Sequence, residues 1–101
     1  MRPEKEFWKG TYYFLVLHLL KKKGKLHGYA IRKELEPFGR PSESTVYDTL
    51  KKLEKGGYVR GSWVTDGKRL NKYYEITEKG EELLEELYSQ LSSLCSLISR
   101  E

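Results

Sequence analysis

Ser42-Glu43-Ser44-Thr45-Val46-Tyr47-Asp48-Thr49-Leu50-Lys51-Lys52-Leu53-Glu54-Lys55, closed by Gly56-Gly57, is the stretch on which the reading of the chain turns. Val46, Leu50 and Leu53 fall at i, i+4 and i+7, one stripe of a helical period. At about 100° per residue the opposite side carries Ser44, Asp48, Lys51 and Lys55, with Thr45, Tyr47 and Lys52 on its flanks. Ser42 is placed to cap the start, since its hydroxyl accepts from an orphan backbone N–H. Glu43 in the first turn and the three lysines toward the end suit the helix dipole. Gly56 or Gly57 supplies the left-handed residue that ends it. A face of hydroxyls, one phenol ring and several cations can grip phosphates and reach base edges. It also suits an ordinary solvated helix, so the neighbouring stretches must decide.

Upstream, Pro3 to about Lys23 is predicted to be a helix, with proline in the first turn where its missing N–H is harmless. Its second half is apolar on nearly every side, through Tyr12, Phe14, Leu15, Val16, Leu17, Leu19 and Leu20, and must be covered on nearly every side. That predicts a position between its own domain and a partner subunit. The aromatic cluster Trp8, Tyr12, Tyr13 and Phe14 is read mainly as core, with a ligand pocket as the alternative. Lys21-Lys22-Lys23-Gly24-Lys25 closes the helix and is read as a solvated cationic end, a phosphate contact being the sharper option. Leu26 to Glu36 predicts a short second helix, in which His27 is a structural or capping residue. Pro37-Phe38-Gly39-Arg40-Pro41 is a turn. Helix, short turn and helix make a helix-turn-helix whose second helix enters the major groove.

Downstream the period changes. Tyr58–Val64 and Lys72–Ile76 are rich in β-branched and aromatic residues, and Asp66-Gly67 between them is a hairpin signal. The hairpin carries Lys68, Arg69 and Lys72, which makes it a basic wing beside the reading helix. Thr77 then caps a last helix with Glu78, Glu81 and Glu82 in its first turn. Leu84, Leu87, Leu91, Leu94 and Ile98, spaced 3, 4, 3, 4, form a heptad seam over about two repeats, suited to a subunit contact.

The whole chain, 101 residues, is read as one domain that gains from oligomerising. Residues 1–77 carry a balance of +8 and residues 78–101 a balance of −4, so a polyanion is expected at the first part. A single cysteine, Cys95, fits a reducing cytoplasm, and no secretory signal or membrane span is expected. Two histidines and no metal-ligand spacing, phosphate loop or nucleophile set argue against an enzyme, a metal site or a cofactor.

Several motifs stand together in order: Leu26-His27-Gly28-Tyr29-Ala30-Ile31; Pro41-Ser42 with Thr45-Val46-Tyr47; Leu50-Lys51-Lys52-Leu53-Glu54 with Gly57-Tyr58-Val59; and Lys72-Tyr73-Tyr74-Glu75-Ile76-Thr77-Glu78-Lys79-Gly80. Over roughly residues 10–90 they resemble the PadR family of winged-helix transcriptional regulators, in particular its short members with one C-terminal helix. The resemblance implies a homodimer in which the C-terminal helix packs on the partner, often on the partner's first helix. It also implies repressors of stress, detoxification or efflux genes acting on two-fold symmetric operators. Ser44 and Asp48 stand where family members often have glycine and proline, which leaves the target sequence open. Some relatives bind flat aromatic drugs using a tryptophan of the last helix; this last helix has none, so that function is not carried over.

The fold expected is mostly α (α+β), a winged helix-turn-helix of order α-α-α-β-β-α. Residues 1–77 form the DNA-binding part and 78–101 the dimerisation helix of the same domain. Ser42, Ser44, Thr45, Tyr47, Lys51, Lys52, Lys68, Arg69 and Lys72 are expected to meet duplex DNA. Tyr12, Leu15, Leu19, Leu84, Leu87, Leu91, Leu94 and Ile98 are expected to meet the second subunit. A small aromatic effector between first and last helices is a further expectation, motivated by the aromatic richness of the first helix; it would shift the spacing of the reading helices. The rival reading is a winged-helix protein-interaction module without sequence-specific DNA binding.

Overall fold

The computed structural model describes residues 2–100. Its first helix, α1 (Pro3–Lys23), begins with proline at the N-terminal turn and ends on Gly24, whose φ of 81° lets its N–H return to the Leu20 carbonyl. Leu26–His27 then form a two-residue strand, β1. The helices α2 (Gly28–Leu35) and α3 (Glu43–Lys55) follow, joined by the 36–42 turn. The hairpin consists of β2 (Val59–Asp66) and β3 (Arg69–Ile76), and α4 (Glu78–Ser99) closes the chain.

The three strands are antiparallel in the order β1-β3-β2. β1 is the one element that sequence patterning did not separate. Leu26 and His27 pair with Tyr74 and Tyr73, so the chain enters the sheet for two residues before turning into helix. His27 makes that corner: its Nδ1 accepts from the Ala30 N–H at 3.0 Å and caps α2. The capping role expected of this histidine is therefore its structural one.

The core is built around α1. Val16, Leu17 and Leu20 meet Ile31 and Leu35 of α2, Val46, Leu50 and Leu53 of α3, Val59 and Tyr74 of the hairpin, and Leu84 of α4. The apolar helix is thus covered largely by its own chain, since α2, α3, α4 and β3 all lie against it. Trp8 and Tyr12, rings 6.1 Å apart and stacked, cover the turn after α2, and the Tyr12 hydroxyl donates to the Phe38 carbonyl at 2.7 Å. Burial moves the Tyr12 phenol above its ordinary pKa. A Cβ on Gly39 would lie 2.6 Å from Trp8, and φ there is +79°, so glycine is required twice over.

The start of α4 is fastened to the end of α3. Thr77 donates its hydroxyl to the Gly57 carbonyl (2.6 Å), accepts from the Gly80 N–H (3.1 Å), and its own N–H reaches the Tyr58 carbonyl (3.1 Å). Gly80 lies so close that a Cβ would sit 2.1 Å from the Tyr58 oxygen. Alanine is the better helix former by about 1 kcal/mol, yet here it must push backbone apart. Gly80→Ala is expected to lower unfolding stability by about 1–3 kcal/mol. A urea melt checks it, and an unchanged midpoint would mean that α4 does not rest on that carbonyl.

Candidate nucleic-acid interface

The reading helix is prepared by its preceding turn. Gly39 and Arg40 adopt positive φ, 79° and 46°, and Pro41 is buried, which sets Ser42 in extended geometry as the cap. Ser42 Oγ accepts from the Thr45 N–H (3.2 Å) and lies 3.2 and 3.0 Å from the hydroxyls of Ser44 and Thr45. Three hydroxyls therefore cluster at the tip of α3, and Ser42's is already committed to its own helix. Val46, Thr49, Leu50 and Leu53 face inward, and Thr49 satisfies its hydroxyl on the Thr45 carbonyl at 2.9 Å. Ser44, Tyr47, Asp48, Lys51, Lys52 and Lys55 are exposed.

Two of the expected contacts are modified by acids. Asp48 takes Lys52 as an i,i+4 partner at 3.2 Å. Hydrogen bonding to Asp48, and then its charge, raises the Lys52 pKa and keeps the ammonium charged. Lys51 has no ion-pair partner among the described residues.

The wing turns over Gly67-Lys68. Gly67 has φ +64°, and the pair Asp66↔Arg69 closes the loop, so Lys68 and Arg69 stand at the tip, exposed. Lys72 does not join them. It lies opposite Trp63, four residue pairs in from the tip, and its ammonium is held by Glu54 of α3 at 2.8 Å. That hydrogen bond is the main reason its pKa is raised. Expected on the DNA backbone, Lys72 lies here in the cleft between wing and α3, paired with Glu54. His27, Tyr29, Tyr47, Trp63, Leu70 and Tyr74 contribute to this cleft of about 340 Å³, which joins the exposed face of α3 to the wing.

On the other flank of α3 a second cleft brings Lys5, Lys9 and Arg40 beside Ser42 and Thr45. Sequence reasoning passed over these cations. Their one local signal was an arginine directly before the buried proline and the cap.

The expected dimer residues separate into two sets. Tyr12 and Leu84 retain 3 % and 1 % of their surface and belong to the core, so they have nothing to offer a partner; this corrects their assignment. Leu15, Leu19 and Leu87 are half-buried against that core. Leu91 is half-buried, and Leu94 (54 % exposed) and Ile98 (72 %) face solvent. Leu97, which widens the seam, and Phe7 of α1 are exposed as well. Phe7, Phe14, Leu87, Leu91 and Leu94 line an apolar groove between α1 and α4. Between the same helices, His18 Nδ1 lies 2.8 Å from the Tyr88 hydroxyl, with Phe14 against both rings.

Among the described residues no group of three His, Cys, Asp or Glu side chains converges as a metal site, and no helix is long and apolar enough to cross a membrane.

Comparison with known proteins agrees with this architecture. A padr family transcriptional regulator from Eggerthella lenta superposes with a TM-score of 0.80 at 32% identity, over 94% of this chain and 84% of that one. Bacillus subtilis PadR, solved in complex with operator DNA, superposes at 0.68 with 30% identity, over 75% of this chain and 45% of that one. An HTH-type transcriptional regulator Hpr from Bacillus cytotoxicus is 45% identical over 73 residues, which are 72% of this chain and 38% of that protein. The chain thus spans about two fifths of the length of such a curated relative. The model of the transcriptional regulator PadR-like family matches residues 16–86, from the core of α1 through the hairpin into α4, and the chain belongs to that family.

Proposed function

We propose that the protein is a sequence-specific DNA-binding transcriptional regulator, a homodimeric repressor acting in the cytoplasm on a two-fold symmetric operator. The observation that carries this reading is the exposed polar face of α3 standing next to a wing whose tip holds Lys68 and Arg69. A major groove about 12 Å wide admits such a helix, and the wing then falls on the adjoining backbone. The solved relative from Bacillus subtilis, in complex with operator DNA, supports the same use of the fold.

In this reading Ser44, Thr45 and Tyr47 reach base edges and nearby phosphates from the first turns of α3. Ser42 contributes by holding the helix start. Lys51 grips backbone, and Lys52 does so less strongly because Asp48 shares its charge. Asp48 accepts from a cytosine amino group. Lys68 and Arg69 hold the flanking strand. The second subunit covers the exposed end of α4 and the groove against α1, which would place two reading helices roughly 34–36 Å apart. That groove is also where this reading puts a small aromatic effector.

Gel shifts on the DNA upstream of the protein's own gene, with random DNA as competitor, test the assignment. A discrete complex that survives competitor is expected, and equal weak binding to both DNAs would favour the protein-interaction module. Lys51→Ala and Arg69→Ala should each flatten the slope of log affinity against log salt by about one. A change in dimerisation alone would remove either residue from the interface. Leu94→Glu should shift sedimentation from dimer to monomer while leaving the helical circular dichroism intact. A dimer that persists would place the subunit contact elsewhere.

A further inference from the structure

The outer half of the wing has little to hold it. β1 pairs only with Tyr73 and Tyr74 at the base of the hairpin, and every residue from Trp63 to Leu70 is exposed. Moving outward along β3, Lys72 is the last residue with an ion pair to the body of the protein among the described residues. The pair is built into its surroundings. Glu54 Oε1 accepts from Lys72 Nζ at 2.8 Å, with both side chains about one third exposed. The ammonium lies 5.4 Å from the centre of the Tyr74 ring and 5.8 Å from that of Trp63, which adds cation–π attraction. The lysine stem crosses β2 at Gly61, the one position on that strand without a side chain. A Cβ there would lie 2.4 Å from Lys72 Cε and 2.9 Å from Glu54 Oε2.

We propose that Glu54 and Lys72 form a strap that fixes the wing against the reading helix, with Gly61 as the notch through which it passes. Lys72 is then a positioning residue, and the wing's phosphate contacts come from Lys68 and Arg69 at the tip. Glu54 serves the DNA-facing surface from the flank of α3 that faces the wing. The effect on DNA affinity rests on the DNA-binding reading above, whereas the effect on the wing does not.

The two are read separately. In the free protein, backbone ¹⁵N order parameters of residues 65–70 are measured for wild type, Glu54→Gln, Lys72→Met and Gly61→Ala. All three substitutions are expected to lower them while leaving those of α3 unchanged. Gly61→Ala is the critical case, because it keeps both charges and crowds only the Lys72 stem and the Glu54 carboxylate. Order parameters that stay at the wild-type value would overturn the strap.

On DNA, Glu54→Gln and Lys72→Met are expected to weaken binding by a similar factor, on the order of tenfold, with the double variant no worse than either single one. Neither should change the salt slope. If Lys72→Met flattens the slope by about one, or Glu54→Gln tightens binding and steepens it, Lys72 is a phosphate ligand for which Glu54 merely competes, and the proposal fails. If wild-type protein binds no DNA while the order parameters fall as described, the strap stands and the DNA-binding reading is the part that falls.

Discussion

Val16, Leu17 and Leu20 of α1 form the strip on which α2, α3, α4 and β3 close. Each keeps 2 % or less of its surface, and around them stand Ile31 and Leu35, Leu50 and Leu53, Tyr74 and Leu84, contributed by four separate elements. Burying side chains of this size is worth about 1.5–3 kcal/mol each. In a chain of 101 residues few other sources of stability exist. The consequence is geometric as well as energetic. α3 and the hairpin are not oriented by surface contacts first; both are seated on the same internal strip. The angle between reading helix and wing base is therefore set from within, and only the outer half of the wing needs a device of its own.

The surface of α3 is less cationic than its composition implies. Asp48 answers Lys52, and Glu54 answers Lys72 from the neighbouring strand. These two acids decide which cations remain available. Lys51, Lys55, Lys68 and Arg69 are exposed with no ion-pair partner among the described residues, and they sit on the helix and the wing tip rather than in the cleft between them. The cleft is left to aromatic rings and to Lys72, neutralised by Glu54. A surface of this kind concentrates its charge at two lines with a neutral gap, which suits a polyanion whose phosphates also run in two lines along a groove.

The helices were legible in the sequence because their signals are local. Pro3 and Gly24 mark α1, Ser42 and Thr77 cap α3 and α4 as their spacing implied, and Asp66-Gly67 marks the hairpin. β1 escaped because two residues carry no period. Its existence depends on Tyr73 and Tyr74, nearly fifty positions later. The same limit hides the long-range partners of individual side chains. Lys72 has the composition of a DNA contact, and only the diagonal neighbour Gly61 and the distant Glu54 reveal where its ammonium goes. Leu84 fits the heptad as well as Leu91 does, but the first turns of α4 are fastened at Thr77 and Gly80 against the protein's own body, so Leu84 is consumed inside.

That fastening divides α4 into two halves with different partners. The first half is anchored by its cap and by Lys21, which pairs with Glu81 at 2.9 Å. The second half keeps the apolar stripe but is not covered by the described residues: Leu94, Leu97 and Ile98 are all more than half exposed. A solvated helix end does not favour three such residues on one side, since contiguous exposed apolar surface marks an interaction site. The heptad spacing places them in line with Leu87 and Leu91, which border the groove against α1. A second copy of the chain would bring an identical stripe, and a two-fold contact needs a surface that complements itself. The apolar back half of this one helix thus favours a second copy, independently of the polar face of α3 and the wing that favour DNA.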